Sequence, residues 1–261
     1  MRVDERVLTD LAATTRFADV RLLDSVDSTN RYARDAAASG TPEGLVVVAD
    51  HQTAGRGRAG RSWDAPPGSG LLLSVLLRPR GLDPARLHLV TAAVGLSAVA
   101  ALRTVAGIGA DLKWPNDLLV GDRKLAGILG EALGVGTGSA GAVVVGIGLN
   151  VSAAPPGAID ATEAAGRAVE RADLLAVLLR ELDGRCDRWD AVAEEYGRSV
   201  ATVGRRVRVE GPPGVFRTGT ASGLDAAGRL LFVDDATGGV TALSVGDVVH
   251  LRPAPPGGGR C

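Results

Sequence analysis

The sequence predicts an α/β (α+β) fold: a mixed, largely antiparallel sheet packed by helices, followed by a small separate β-barrel. Three observations predict it. Residues 118–151 read as three successive strands joined by tight turns. Long stretches with helical spacing lie on either side of that meander, at residues 84–105 and 173–196. After about Val200 the texture changes to short strands separated by turns such as GPPG and DAAGR, the spacing of a barrel of ~50 residues. A length of 261 residues fits two such units, since one domain takes about 100–200 residues. The predicted division gives a larger domain over 1–200, a smaller one over 201–252, and a frayed tail over 253–261.

In chain order, residues 1–18 carry a weak helix, and Val20–Val26 alternates imperfectly, as a strand does. Asp27-Ser28-Thr29-Asn30 places small polar residues before the helical RYARDAAASG, which Gly40 ends. Ser28 or Thr29 suits an N-cap, and the free N–H groups of a helix start also suit an anion. Gly44–Asp50 and Leu71–Leu77 are buried-strand runs, and Asp83-Pro84 opens the first long helix. Leu118–Val120, the Gly121-Asp122 turn and Arg123–Leu129 form a hairpin; glycines within 134–141 then turn the chain into Ala142–Val151. Residues 152–172 are an Ala/Pro/Gly connection. Asp173 suits the next N-cap, and Leu175, Leu178, Leu182, Cys186, Trp189, Ala193 and Tyr196 recur on one helical face. That face packs, and Trp189 is assigned no catalytic role. The barrel strands are Val207–Val209, Val215–Ala221, Leu230–Val233, Val240–Leu243 and Val248–Leu251.

Composition removes several function classes. A hydrophobic share of 46% suffices for a core, and aromatics at only 3% leave its packing to Leu, Val and Ala. A net charge of −1 and a pI near 6.3 argue against a nucleic-acid-binding surface. No apolar run is read as reaching the ~20 residues of a membrane span, and the charged start MRVDERVLTD lacks a signal-peptide core. Cys186 and Cys261 are far apart, and His51, His88 and His250 are scattered, which argues against zinc and fits a reduced cytoplasm.

Rare residues mark the site. Lys113 and Lys124 are the only lysines, so the other 27 of 29 cationic residues are arginine (29 − 2). A compact ammonium serves where a planar fork does not. Gln52 is the one glutamine, and Asn30, Asn116 and Asn150 are the only asparagines.

Gly55–Gly60 formally matches GxGxxG, but Trp63-Asp64-Ala65-Pro66-Pro67 cannot continue it as a helix. The loop instead sets Arg56, Arg58 and Arg61 among glycines, where a polyanionic ligand relieves their repulsion. A solvated Arg-rich turn is the bland alternative. Together with both lysines, Asn116, Asp117 and glycines 127, 146 and 148, the loop implies a cationic, glycine-lined pocket that brings two anions together. No Ser-His-Asp or Cys-His set stands out. Activation of a carboxylate by ATP is such a reaction: alignment supplies about 7–11 kcal/mol of the barrier, and fixed cations offset the repulsion. Asn116 or Asp117 can orient Mg²⁺, which prefers oxygen ligands.

The motifs STN, HQTAGRGRAGRSW, KWPNDLLV, KLAGILGE and GIGLNV, in that order between Ser25 and Val151, resemble the bacterial biotin–protein ligases. The module after Val207 more loosely resembles that family's SH3-like C-terminal domain. The resemblance implies a catalytic domain related to class II aminoacyl-tRNA synthetases. It implies that biotin and ATP give biotinyl-5′-AMP, and that a lysine on the biotin carboxyl carrier domain of a biotin-dependent carboxylase takes the biotinyl group. By motif, Ser28, Thr29, Asn30 and Gln52 bind biotin, Gln52 near the ureido head. Arg56, Gly57 and Arg58 also bind biotin, as the loop that closes over the adenylate. Lys124 meets the biotin carboxylate, with Gly127 and Ile128 lining the site. Arg58, Arg61, Trp63, Lys113, Asn116, Asp117 and Asn150 serve ATP. Lys124, Arg58 and Lys113 are the expected catalytic residues, and the metal ligands stay unassigned.

Two departures accompany it. The lead before the catalytic domain is too short for a helix-turn-helix, so no DNA partner is expected, and no membrane partner either. Ala161–Ala165 lacks the apolar-ended pattern expected on the adenine side. Two other readings stand beside it: a lipoate or octanoate ligase on a related fold, against which the STN…HQTAGRGR pattern speaks, and a non-catalytic nucleotide-binding module.

Overall fold

The computed structural model describes residues 3–134, 141–210 and 215–244, and the backbone of 248–250. Helix α1 (Glu5–Thr14) starts at Asp4, whose carboxylate accepts the Arg6 N–H at 2.8 Å. Strand β1 (Asp19–Val26) leads through α2 (Thr29–Ala38) into β2 (Leu45–Gln52), which runs parallel to it. β3 (Gly70–Leu77) returns antiparallel to β2 and is buried at all 8 positions, which is why it reads as an unbroken apolar run. A short turn at Pro84–Arg86, capped by Asp83, precedes α3 (His88–Ala106). β4 (Asp111–Lys113), β5 (Asp117–Val120), β6 (Arg123–Leu133) and β7 (Ala142–Asn150) then run as an antiparallel meander, one strand longer than the sequence predicts. The resulting 7-stranded sheet has the order β1-β2-β3-β7-β6-β5-β4.

Alternation along β2 divides the core into two layers. Leu45 and Val47 join Ala33 of α2 in a small apolar cluster, whereas Val46 and Val48 belong to the main core. That main core is closed by α3 with α5 (Arg171–Arg185) and α6 (Trp189–Ser199). Contrary to the sequence expectation, Pro84–Ala106 is long and apolar enough to cross a membrane by length and composition alone; 67% of its apolar stretch is buried inside the protein.

Other expectations shift. Residues 152–172 contain a short helix, α4 (Ala161–Ala165), capped by Asp160. Glu170, not Asp173, is the cap position of α5, and Asp173 lies in its first turn. The single helical face read over 175–196 is two helices, broken at Cys186–Arg188 with Asp187 at φ 64°. A periodic apolar face survives such a break because both helices pack on the same core, so periodicity alone does not reveal it.

The C-terminal module contains β8 (Arg206–Glu210), β9 (Phe216–Leu224), β10 (Leu230–Asp234), β11 (Val240–Leu243) and β12 (Val248–His250). Its 5-stranded sheet has the order β11-β10-β9-β8-β12 and does not close into a barrel among the described residues. Leu251 and the tail expected over 253–261 lie outside them. The two sheets share one core: Val207, Val209, Ala221, Leu230 and Phe232 belong to the same apolar cluster as α3. At the crossing, the Trp114 N–H donates to Thr202 Oγ1 and its indole Nε1–H to the Gly228 carbonyl, both at 3.0 Å. Trp114 precedes Pro115 through a cis peptide bond.

His88 lies at this junction, its ring against Gly228, whose positive φ of 69° and lack of a Cβ make the approach possible. Its Nδ1 is buried without a protein partner among the described residues. Burial, then the Arg86 charge, push its pKa below the ordinary 6.5, with Asp225 working the other way. A depressed folded pKa contributes stability that is present above the unfolded value and lost as pH falls through the folded one. His88→Gln is therefore expected to flatten the fall in thermal midpoint between about pH 7 and pH 5, measured by melts across that range.

Candidate active site

A cleft opens between the N-terminus of α2, the loop after β2 and the strands β6 and β7. Ser28 is the N-cap of α2, its Oγ accepting from the Arg31 N–H at 3.5 Å. Thr29 donates its N–H to Gln52 Oε1 at 2.8 Å, and its Oγ1 lies 3.1 Å from the same oxygen. The loop between β2 and β3 folds back as a tight hairpin: Trp63 N–H donates to the Gly55 carbonyl at 3.0 Å and Gly57 N–H to the Arg61 carbonyl at 2.7 Å. The GxGxxG glycines thus shape a loop rather than start a helix.

Opposite the loop, β6 supplies Lys124 at a bulge. Leu118 pairs with Ala126 but Leu119 with Lys124, so Leu125 is the extra residue. The bulge buries Leu125 completely while Lys124 lines the cleft. Lys124 Nζ lies 2.6 Å from Asp117 Oδ1 and 5.6 Å from the centre of the Trp63 ring. Arg58 donates to Asn116 Oδ1 at 3.1 Å, and Asn116 Nδ2 donates to the Ile128 carbonyl at 2.8 Å. Arg58 also reaches toward Tyr196, whose phenol is pushed up by burial and held back by that charge.

Two glycines of GIGLNV make the room. A Cβ at Gly146 would overlap the Asn30 amide, and one at Gly148 would overlap the Trp63 indole. The indole fills the space left by Gly148 and Gly127, and its Nε1–H is buried without a protein acceptor among the described residues.

Of the residues singled out in the sequence, Ser28, Thr29, Asn30, Gln52, Arg56, Gly57 and Arg58 line the cleft, as do Arg61, Trp63, Asn116, Asp117, Lys124 and Gly127. Lys113 and Asn150 do not. Lys113 sits on β4, paired in register with Asp117. Asn150 is buried at the end of β7 and donates to the Ile159 carbonyl at 3.2 Å, while the Ile159 N–H donates to the Lys124 carbonyl at 3.0 Å. It thus braces the strand that carries Lys124. Ala161–Ala165 forms α4, where Glu163 pairs with Arg123, which holds the Glu163 carboxyl below its usual range.

The expectation that Asn116 or Asp117 orients Mg²⁺ meets an obstacle. Asn116 is bonded at both ends of its amide, and Asp117, the one carboxylate lining the cleft among the described residues, is engaged by Lys124. No group of three or more His, Cys, Asp or Glu side chains able to hold a metal occurs among the described residues. The donor set among the described residues does not fit a resident metal. Sequence reading assigned no role to Ser74 and Glu131, which stand behind Asn30; a serine inside an apolar strand run and the closing glutamate of KLAGILGE were their signals.

Residues 22–150 match the model of the biotin/lipoate A/B protein ligase family. A biotin–[acetyl-CoA-carboxylase] ligase of Mycobacterium tuberculosis is 38% identical, over 96% of this chain and 96% of its own length. The chain belongs to the biotin–protein ligase family. This chain is also 35% identical to the bifunctional ligase/repressor BirA of Escherichia coli, over 90% of its own length and 74% of that one. A biotin protein ligase from Aquifex aeolicus, solved with biotin and ATP, superimposes with a TM-score of 0.73 at 28% identity, covering 91% of this chain and 100% of that one.

Proposed function

We propose that this chain activates biotin with ATP to biotinyl-5′-AMP and transfers the biotinyl group to one lysine of a biotin carboxyl carrier domain. The observation that carries this reading is one cleft with two unlike ends. The Thr29–Gln52 edge offers polar atoms to a neutral head group, and Lys124 with Arg56, Arg58 and Arg61 offers cations to a carboxylate and a phosphate.

In the first step a biotin carboxylate oxygen attacks the α-phosphorus of ATP, and pyrophosphate leaves. Lys124 turns from Asp117 to the reacting carboxylate and offsets its repulsion from the phosphate. In the second, the ε-amine of the carrier lysine attacks the acyl carbon and AMP leaves. Arg56, Gly57 and Arg58 cover the adenylate and exclude water meanwhile. Arg61, Trp63, Asn116 and Asp117 face the nucleotide, to which Mg²⁺ comes bound. Asn150 acts through Ile159, and Lys113 acts from β4, outside the cleft. Cys186, a buried thiol pushed up to about 12 by its burial, fits a reducing compartment, and we assign the reaction to the cytoplasm.

Labelled biotin, MgATP and a carrier domain are expected to give one labelled carrier lysine and pyrophosphate. Absence of both sinks the proposal, and suppression by lipoate in place of biotin redirects it to lipoate. Arg58→Gly loses the bond to Asn116 and loosens the loop, so stray labelling of bystander proteins is expected to rise about tenfold, read by blotting.

A further inference from the structure

The polar chain behind the cleft has too few protons for its contacts, and the shortage dictates what a ligand must bring. Asn30 Nδ2 faces two acceptors, the Leu129 carbonyl at 3.2 Å and Glu131 Oε2 at 2.8 Å. The amide therefore has one orientation, with Oδ1 turned to Ser74. Glu131 is itself held by Arg34 at 3.0 Å. From Asn30 Oδ1 the contacts run to Ser74 Oγ at 2.6 Å, on to Thr29 Oγ1 at 2.8 Å, and on to Gln52 Oε1 at 3.1 Å.

Both ends of this chain can only accept, and the two hydroxyls between them hold one proton each. Three contacts thus share two protons. The two shortest contacts take them: Ser74 donates to Asn30, and Thr29 donates to Ser74. Gln52 Oε1 loses nothing, because the Thr29 backbone N–H already donates to it at 2.8 Å. Thr29 Oγ1 is left facing the cleft with lone pairs and no proton. Gln52, its oxygen committed to Thr29, has only its Nε2 hydrogens left to offer a ligand. An acceptor beside a donor complements an N–H beside a C=O, which is the edge of a cyclic urea.

We propose that Ser74 is a specificity-determining positioning residue: by taking the Thr29 proton, in a direction set by Glu131 through Asn30, it makes Thr29 an obligatory acceptor for a ligand N–H. Ser74 itself is fully buried and acts through Thr29. The inference rests on the biotin reading above and extends it, since the two cleft-facing atoms select for the ureido edge of the ligand head. A dithiolane head, lacking any N–H, leaves Thr29 unpaired.

The test compares biotin with its two carbamate analogues, each with one ureido N–H replaced by ring oxygen, by kcat/KM for pyrophosphate release. In the native protein one analogue is expected to fall about 100-fold below biotin, its ring oxygen facing the Thr29 lone pairs. In Ser74→Ala the released Thr29 hydroxyl turns and donates to that oxygen, so the gap narrows to about tenfold, with KM for ATP unchanged. Ser74→Cys, with a weak S–H donor of similar size, falls between and carries the comparison if the alanine variant does not fold. A side chain that only filled space would lower biotin and both analogues alike, so a constant ratio in the variants overturns the proposal. Native protein that ignores biotin overturns the functional reading itself; native turnover of biotin with no gap to either analogue overturns only the role given to Thr29 and Ser74.

Discussion

Replacing Lys124 with alanine is expected to lower the rate of pyrophosphate release by about 100- to 1,000-fold and to move the thermal midpoint by no more than about 2 °C. The two effects separate because the lysine's partners in the free protein are weak ones. Its ion pair with Asp117 is part-exposed, with side-chain exposures of 39% and 20%, and pairs of that kind contribute at most about 1 kcal/mol. On the reaction proposed above, the same ammonium would stand where charge gathers between carboxylate and phosphate. Lys124→Arg is not expected to rescue the rate. Nζ already lies 3.2 Å from where a Cβ on Gly127 would stand, and the Trp63 ring covers the other side, so a planar fork cannot be seated. Wild-type rates in Lys124→Ala would remove it from the mechanism.

The second large effect is expected from a methyl group. Gly146→Ala sets a Cβ inside the Asn30 amide, which is held on both sides by Ser74 and Glu131 and can step away only by breaking those contacts. Overpacking of this kind costs about 1–3 kcal/mol, a drop of roughly 2–12 °C in thermal midpoint for a chain of this size. The displaced Asn30 also releases Ser74, so KM for biotin is expected to rise about tenfold or more while KM for ATP stays. An unchanged midpoint together with an unchanged KM for biotin would contradict the packing described around Asn30.

The legible and the illegible parts of the molecule differ in physical kind. Strands such as Leu71–Leu77 and the helix after Asp83-Pro84 declare themselves by apolar runs and caps, which are local properties. The cleft residues declared themselves through scarcity: lone amides and lysines stand out in a chain that elsewhere uses arginine and small apolar residues. What the sequence could not convey depends on partners far along the chain. Ser74 looks like any small residue in a strand until Thr29 and Asn30, 45 and 44 positions away, are brought to it. Lys113 shares the rarity of Lys124 but not its place, because β4 sits at the sheet edge and the bulge at Leu125 aims only Lys124 into the cleft. The break between α5 and α6 was hidden because both helices bury the same kind of face in the same core.

The pairing of Lys124 with Asp117, in a chain with only one other lysine, has a practical consequence. An amine-acylating reagent meets just two side-chain targets, one on the edge strand β4 and one inside the cleft. Acylation at position 113 then serves as an internal standard, and the ratio of the two modified peptides becomes a direct gauge of how full the cleft is. Such a gauge needs no turnover, no carrier and no engineered tag.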